Sequence, residues 1–289
     1  MPIQTATTGN LASAQRVVIE QIRYTAEHSA PVINLVEKLR LGQGEKSITV
    51  PKVGQFTAAD LTDGVDMVDT QDIGMTTTEL TTAEVGLKVI LTDKLVRQEN
   101  EDMFRVVGRQ MGDAMARKKD TDLIALFTAF NGGTSLGAAA ASLTLQNLTG
   151  CIDFAKRNKF PAPVFVVQHP SALYDVSLNS TIIPSLTQGL PNGLDEKLLK
   201  DFYKFMVNQV AVFEDGNITI DASDDAIGAI FSRNAACYIE QVGYDGRQQR
   251  DESLRGTEQI VLADYGVFEL DDGYGAPITY DAAQNTTSA

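Results

Sequence analysis

VGLKVILTDKLVRQENEDMFRVVGRQMGDAMARKKDTDLIALF, residues 85–127, joins two kinds of periodicity in one uninterrupted stretch. Val85, Leu87, Val89 and Leu91 alternate with mostly polar positions, the pattern of a strand with one buried face. From Asn100 the pattern changes. Asn100 is placed as a helix N-cap, and Glu101 and Asp102 suit the positive end of the helix dipole. Phe104, Val107, Met111, Met115, Leu123, Ile124 and Phe127 then supply an apolar side. The pattern predicts a helix from Asn100 to about Phe130, about 45 Å long at 1.5 Å per residue. A helix of that length is a spine rather than a core element of a small globule. Gly108, Gly112 and Ala116 recur every four residues along it. Each helical glycine costs about 0.8–1 kcal/mol against alanine, so this stripe predicts close packing against another backbone.

Just before this stretch lies its opposite. From Val53 to Leu87 there is no lysine or arginine, but there are seven acidic residues. Asp60, Asp63, Asp66, Asp69 and Asp72 follow one another in steps of three. The segment has turn chemistry at Asp63-Gly64 and too few large apolar residues to pack a core. Lys46–Val53 before it and Val85–Thr92 after it read as β. The combination predicts a long acidic excursion mounted on two strands. A loop longer than about 12–15 residues in a compact domain calls for a reason. One that cannot bury itself leans most simply on another copy of the chain, which makes assembly the first functional expectation.

Composition narrows the classes. The 289 residues suffice for two modest domains or one elaborated one. A net charge of −14 disfavours a protein that grips nucleic acid through its phosphates. Cys151 and Cys237 sit in a predicted helix and a predicted strand, where lone cysteines are buried thiols more often than disulfide partners. No signal peptide is visible in MPIQTATTGN, and no apolar run approaches the ~20 residues of a membrane span. The expected location is cytosolic where the protein is made.

Around the central stretch, Asn10 is placed to cap a helix with Leu11, Ala14, Val18, Ile22 and Ala26 on one face. Pro31 opens a second short helix with Val32, Val36 and Leu39 inward and Gly42 at its end. SITVPK reads as a strand that Pro51 confines to an edge or an end. NGGTSLGAAAAS, 131–142, breaks the helical pattern and marks the expected domain boundary. Beyond it come a helix over Leu145–Asn158, a buried strand PVFVVQ, a helix opened by Pro170 and an amphipathic helix over Asp195–Val207. VAVFED, ITID and AIGAIF read as strands, and the alternation predicts an α/β-like module with a central sheet. AACYIEQV, a glycine- and charge-rich link at 243–256, and TEQIVLADYGVFEL return the chain to β before a polar tail. The overall class is α+β.

Arrangements of chemistry are sparse. His28 and His169 are the only histidines. Ser171 follows His169 closely, but no G-x-S-x-G elbow is present. Two histidines and two cysteines far apart give no zinc spacing. NGGTS follows a helix and lacks the G-K-[ST] ending of a phosphate loop. No catalytic residue, cofactor or metal ligand is assigned. The aspartate series admits three readings: a solvated acidic loop, an intersubunit salt-bridge surface, or a calcium-binding stretch that does not match the alternate-position EF-hand pattern. Arg97, Arg105, Arg109, Arg117, Lys118 and Lys119 lie along or just before the spine helix. Either they are an ordinary solvated face with local pairs such as Asp113 with Arg109 or Arg117, or they receive the acidic excursion of a neighbouring subunit.

The order of parts resembles the tailed-bacteriophage major capsid proteins of the Hong Kong 97 type. Residues 85–127 are similar to that family's strand and spine helix, with Asp120 and Asp122 near the helix end. PVFVVQHPSALYDV, 163–176, resembles the strand-to-helix passage of its axial domain. AIFSRNAACYIEQ, 229–241, and EQIVLADYGVFEL, 258–270, resemble its closing strands. The resemblance spans nearly the whole chain and rests on element order more than on any motif. It implies an N-terminal arm over 1–45 and an extended loop over 53–85. It also implies a peripheral domain over 46–52, 86–135 and 236–289, with the spine at about 100–130, and an axial domain over 136–235.

The resemblance further implies hexamers and pentamers tiling an icosahedral shell around double-stranded DNA, which is enclosed without sequence-specific binding. A virion capsid assembled in the host bacterial cytoplasm follows, with a portal and no membrane partner. Some members cross-link their loops through a Lys–Asn isopeptide bond. The absence of lysine from 53 to 87 argues for non-covalent contacts here. Many members carry a long N-terminal scaffolding segment. Since this sequence begins almost directly with its arm, a separate scaffolding protein is expected. An encapsulin-type shell, which shares the fold but loads cargo proteins, is the alternative, and a monomeric α/β enzyme is a third.

Overall fold

The computed structural model describes residues 31–54, 56–58, 60–61, 63–64, 66, 72–94, 103–179 and 203–283. The strand over 83–92 and the spine helix stand as the periodicity predicts, as β4 (Ala83–Thr92) and α1 (Met103–Ala125). The expected cap Asn100 and the first predicted helix, from Asn10, lie outside the described residues. At its far end α1 tightens into 3-10 turns at Leu126–Thr128 and Phe130–Gly133, so the regular helix stops short of Phe130.

Burial along α1 falls on the pairs 107/108, 111/112, 115/116, 119/120 and 123/124. Steps of four in a helix of 3.6 residues per turn rotate the buried face by about 40° each, so it swings through roughly 160° along this helix. The helix is therefore covered from different sides at its two ends. Near its start, Val107 and Met111 share the main core with Leu91 of β4, against which Val85, Leu87 and Val89 also pack. At its far end, Phe127 and Phe130 meet Phe231 with ring centroids 5.4 and 6.2 Å away, and Phe231 continues the stack to Phe165 at 6.4 Å.

Those two ends correspond to two sheets. The hairpin sheet has the order β1-β10-β11-β4, where β1 is Glu37–Arg40, β10 is Ala236–Asp251 and β11 is Gly256–Glu269. The central sheet has the order β5-β12-β9-β6-β8-β7. Its strands are β5 (Leu136–Ser142), β6 (Val164–Gln168), β7 (Tyr203–Val207), β8 (Val210–Glu214), β9 (Asp225–Ser232) and β12 (Gly275–Asp281). β6 lies between parallel β8 and antiparallel β9. Its run Phe165, Val166 and Val167 is buried throughout, as expected for a strand covered on both faces. α2 (Leu145–Arg157) is capped by the Thr144 hydroxyl, which accepts from the Asn147 N–H at 3.2 Å. It buries Leu148, Cys151, Ile152 and Ala155, spaced along one helical face. α3 (Pro170–Asn179) follows β6 directly.

Several expectations are corrected. The short helix opened by Pro31 is only a 3-10 turn, Val32–Asn34, followed by β1. Val32, Leu35 and Val36 are still buried; β1 forms because it can pair in parallel with β10. The supposed boundary at 131–142 contains the edge strand β5. The helix expected to end at Val207 gives way to β7 over 203–207, because Phe205 and Val207 pair into the central sheet; residues 195–202 lie outside the described set. The charged link at 243–256 is the distal part of one long hairpin, β10–β11. Finally, the closing segment 236–289 does not lie in one sheet: β10 and β11 pair in the hairpin sheet, while β12 pairs with β9 and β5 in the central sheet.

Candidate assembly surface

The excursion begins where β2 (Ser47–Lys52) leaves the body and returns in β3 (Thr76–Thr81). β2 and β3 pair as an antiparallel ladder from Ser47↔Thr81 to Lys52↔Thr76, and the Gly54 N–H extends it to the Ile73 carbonyl at 3.3 Å. The sequence places the excursion between β2 and β4, with β3 inside it; the structure pairs β2 with β3. Its run of threonines is polar, and only Leu80 is buried. Leu80 joins Leu41, Cys237 and Ile239, with Ile48 and Val50 of β2 packed against them. This cluster roots the stalk on the hairpin sheet. The stalk crosses β11 so closely that a Cβ on Gly266 would lie 2.3 Å from the Thr81 carbonyl oxygen. Lys52 Nζ adds an ion pair to Asp271, at 2.7 Å.

Past the stalk, the described residues lie open. Asp60, Asp63, Asp66 and Asp72 are exposed; Asp69 lies outside the described residues. With them stand Val53, Phe56, Leu61, Ile73 and Met75, all exposed, Leu61 to 70%. Singly exposed apolar groups are unremarkable; here five fall along one polar strap. The composition of the stretch announces the acidic groups; the exposed apolar ones stand beside them.

On α1, Arg105, Arg109, Arg117 and Lys118 are exposed, and Lys118 pairs with Asp122 at 2.5 Å. Arg97 lies outside the described residues. Lys119 is different: it is 3% exposed and cannot meet a neighbour from the surface. Its Nζ lies 4.0 Å from the Tyr244 ring centroid, 5.3 Å from Tyr265 and 5.6 Å from Tyr238. It also reaches Glu240 Oε1 and the Gly243 carbonyl, each at 3.4 Å. Burial pulls its pKa down, against the pull of Glu240. The lysine thus ties the helix to the bulged part of β10, where the register slips between Glu240 and Val242 and again before Asp245. The close-packing stripe Gly108, Gly112 and Ala116 is buried, with Ile33 and Tyr244 against Ala116.

Sequence reasoning missed the polar members of these two stripes. Val107, Met111 and Met115 lead in steps of four to Lys119, and Gly108, Gly112 and Ala116 lead to Asp120. Both end positions are buried. Asp122, the second aspartate near the helix end, accepts from the Tyr265 hydroxyl at 2.8 Å. Among the described residues no group of three or more histidine, cysteine or acidic side chains is arranged to hold a metal ion. No described helix is long and apolar enough to cross a membrane. His169 Nδ1 accepts from the Ser171 backbone N–H at 3.1 Å, a contact at the start of α3.

A spine helix bridging two sheets, a long hairpin and an open strap on a stalk define a shell-forming subunit. A family model described as phage capsid protein matches residues 75–283, and the chain belongs to that family. It has the Hong Kong 97-like fold of phage major capsid proteins. The head structure of Helicobacter pylori bacteriophage KHP40 is similar with a TM-score of 0.69 at 11% identity, over 98% of this chain and 93% of the other. The capsid of cyanophage P-SCSP1u gives 0.63 at 15% identity, over 86% and 87%. The SrpI encapsulin complex of Synechococcus elongatus PCC 7942 gives 0.60 at 13% identity, over 89% and 90%. No curated protein matches the sequence. The protein is a phage major capsid protein, a component of the virion shell.

Proposed function

We propose that this subunit forms the hexamers and pentamers of an icosahedral shell around double-stranded DNA, joined by non-covalent contacts, and performs no catalysis. The observation that carries the reading is the strap. It leaves the body on a rooted stalk and exposes both its aspartates and its apolar groups. Each of the four described aspartates lacks an ion-pair partner within its own subunit among the described residues. A neighbour's exposed Arg105, Arg109, Arg117 and Lys118 offer complementary charge. Single exposed pairs contribute about 0–1 kcal/mol each, but a shell repeats them many times.

In this reading residues 1–45 form an arm and 53–85 the extended loop. An acidic interior wall repels packaged DNA and does not trap it. A separate scaffolding protein and a portal complete assembly in the bacterial cytoplasm. The family match favours a phage shell over an encapsulin; purified particles carrying DNA and not a cargo protein would separate the two. The strap itself is tested by replacing Asp60, Asp63, Asp66, Asp69 and Asp72 with asparagine. The subunit should fold with an unchanged melting curve while shells form poorly or fall apart at lower salt. Shells that form normally and resist salt and heat as before would reduce the aspartates to a solvated loop.

A further inference from the structure

Asp120 on α1 and Asp215 just after β8 are both essentially sealed from solvent, at 0% and 1% exposure. They meet at the joint between the spine helix and the central sheet. The surrounding donors are countable. Val32 N–H donates to Asp120 Oδ1 at 3.3 Å, and Asn217 Nδ2 donates to Asp120 Oδ2 at 2.8 Å. The Asn217 backbone N–H donates to Asp215 Oδ1 at 2.8 Å. Of the four carboxyl oxygens only Asp215 Oδ2 is buried without a donor, and Asn217, which donates to both residues, holds the two carboxyls side by side. Two bare carboxylates cannot share a dry site, since each buried charge needs a partner. Of the remaining charged neighbours, His169 feels Asp215, but burial pushes its pKa down and Nδ1 is already an acceptor. Lys119 and Asp122, on the same helix, are engaged with the tyrosines.

We infer that Asp120 and Asp215 share a single proton, which bonds the spine helix to the central sheet and makes this joint proton-dependent. The proton sits between Asp120 and Asp215 Oδ2 and supplies the one missing donor. Burial, followed by the bond to Asp215 and its charge, raises Asp120 to about 9, which keeps the proton in place at neutral pH. Val32 precedes β1 of the hairpin sheet, so three parts of the subunit converge on the pair. A rearrangement that parts the helix from β8 and lets in water returns both groups to ordinary carboxylates and releases the proton to solvent. Opening is thus favoured by alkali and opposed by acid: the folded pKa lies above the ordinary 3.8, so stability from this pair declines as pH rises toward about 9.

Infrared spectroscopy of the full chain, labelled with carbon-13 at aspartate carboxyls, reads the proton directly and excludes glutamate signals. At pH 8 the wild type should show one protonated aspartic acid band that vanishes as pH passes about 9, and Asp120→Asn should lack it. Absence of the band in wild type at pH 8, or its survival in Asp120→Asn, overturns the inference. Asp215→Asn is the second variant: it keeps the band but moves its alkaline loss to lower pH, because the neighbouring charge is gone. An unmoved midpoint contradicts sharing between the two residues.

Discussion

The Nζ of Lys119 stands 4.0 Å from the centre of the Tyr244 ring, inside the subunit and not on its surface. Tyr244 lies in the bulged part of β10 and also packs on Ala116 of the spine. One tyrosine therefore reads two steps of the helix, and the cation holds the bulge in place through Glu240 and Gly243. Cation–π contacts of this kind contribute about 0.5–2 kcal/mol. Replacing Lys119 with alanine removes that contact and opens a void, at a cost of about 2–4 kcal/mol. Lys119→Met fills the same channel and should cost clearly less. Urea unfolding of the two variants checks the order. If Lys119→Met folds like wild type yet fails to assemble, the lysine acts between subunits after all.

Gly108 heads the buried stripe on α1. Leucine there adds a side chain at a buried position, and overpacking of this kind costs about 1–3 kcal/mol or more. The expected result is a lowered melting temperature or an insoluble subunit. A melting curve like that of wild type would place the glycine stripe against solvent.

Leu61, at 70% exposure, should be replaceable by serine without loss of subunit stability. Its cost should appear only in assembly, as a higher concentration needed to form shells. Sedimentation of the assembled and free fractions measures this. An equal effect on subunit unfolding would mean that the strap folds back on its own subunit.

Glu269 lies at the end of β11, close to Asp271, Asp272 and Lys52 at the foot of the stalk. Burial, then the bond to Asp272 and the charges of Asp272 and Asp271, push it up to about 7, while Lys52 pulls the other way. Its folded value is above the ordinary 4.5 for this group, so its contribution to stability falls as pH rises from about 4.5 to about 7 and is flat beyond. Glu269→Gln cannot ionise. The melting temperature of this variant relative to wild type should climb over that interval and level off above it. A difference that stays constant from pH 5 to pH 8 would contradict this assignment.

The parts legible in the sequence were those with local causes. The alternation over 85–91 and the apolar side of α1 declare β4 and the spine because each element buries one face. The acidic strap was legible for the converse reason, a long segment with nothing to bury. What escaped depended on distant partners. β3 is a polar threonine run that becomes a strand only because β2 offers a ladder and Leu80 a socket. β12 is drawn from the end of the chain into the central sheet by β9. The hairpin past Gly243 carries so many charges that it reads as a link, yet antiparallel pairing of β10 with β11, and of β11 with β4, keeps it extended. Lys119 reads as an exposed cation only while its charge is weighed above its position in the stripe. Its step-of-four place after Met115 was the available signal.

The most direct measurement is a cryo-electron microscopy map of particles assembled from the full chain. Closed icosahedral shells of hexamers and pentamers are expected, with the strap over residues 53–75 lying on a neighbouring subunit. Its aspartates should stand within ion-pair distance of that neighbour's Arg105, Arg109, Arg117 or Lys118. A stable monomer of about 31 kDa that never assembles, even with a scaffolding protein supplied, would contradict the shell. Shells in which the strap touches only its own subunit would contradict the strap.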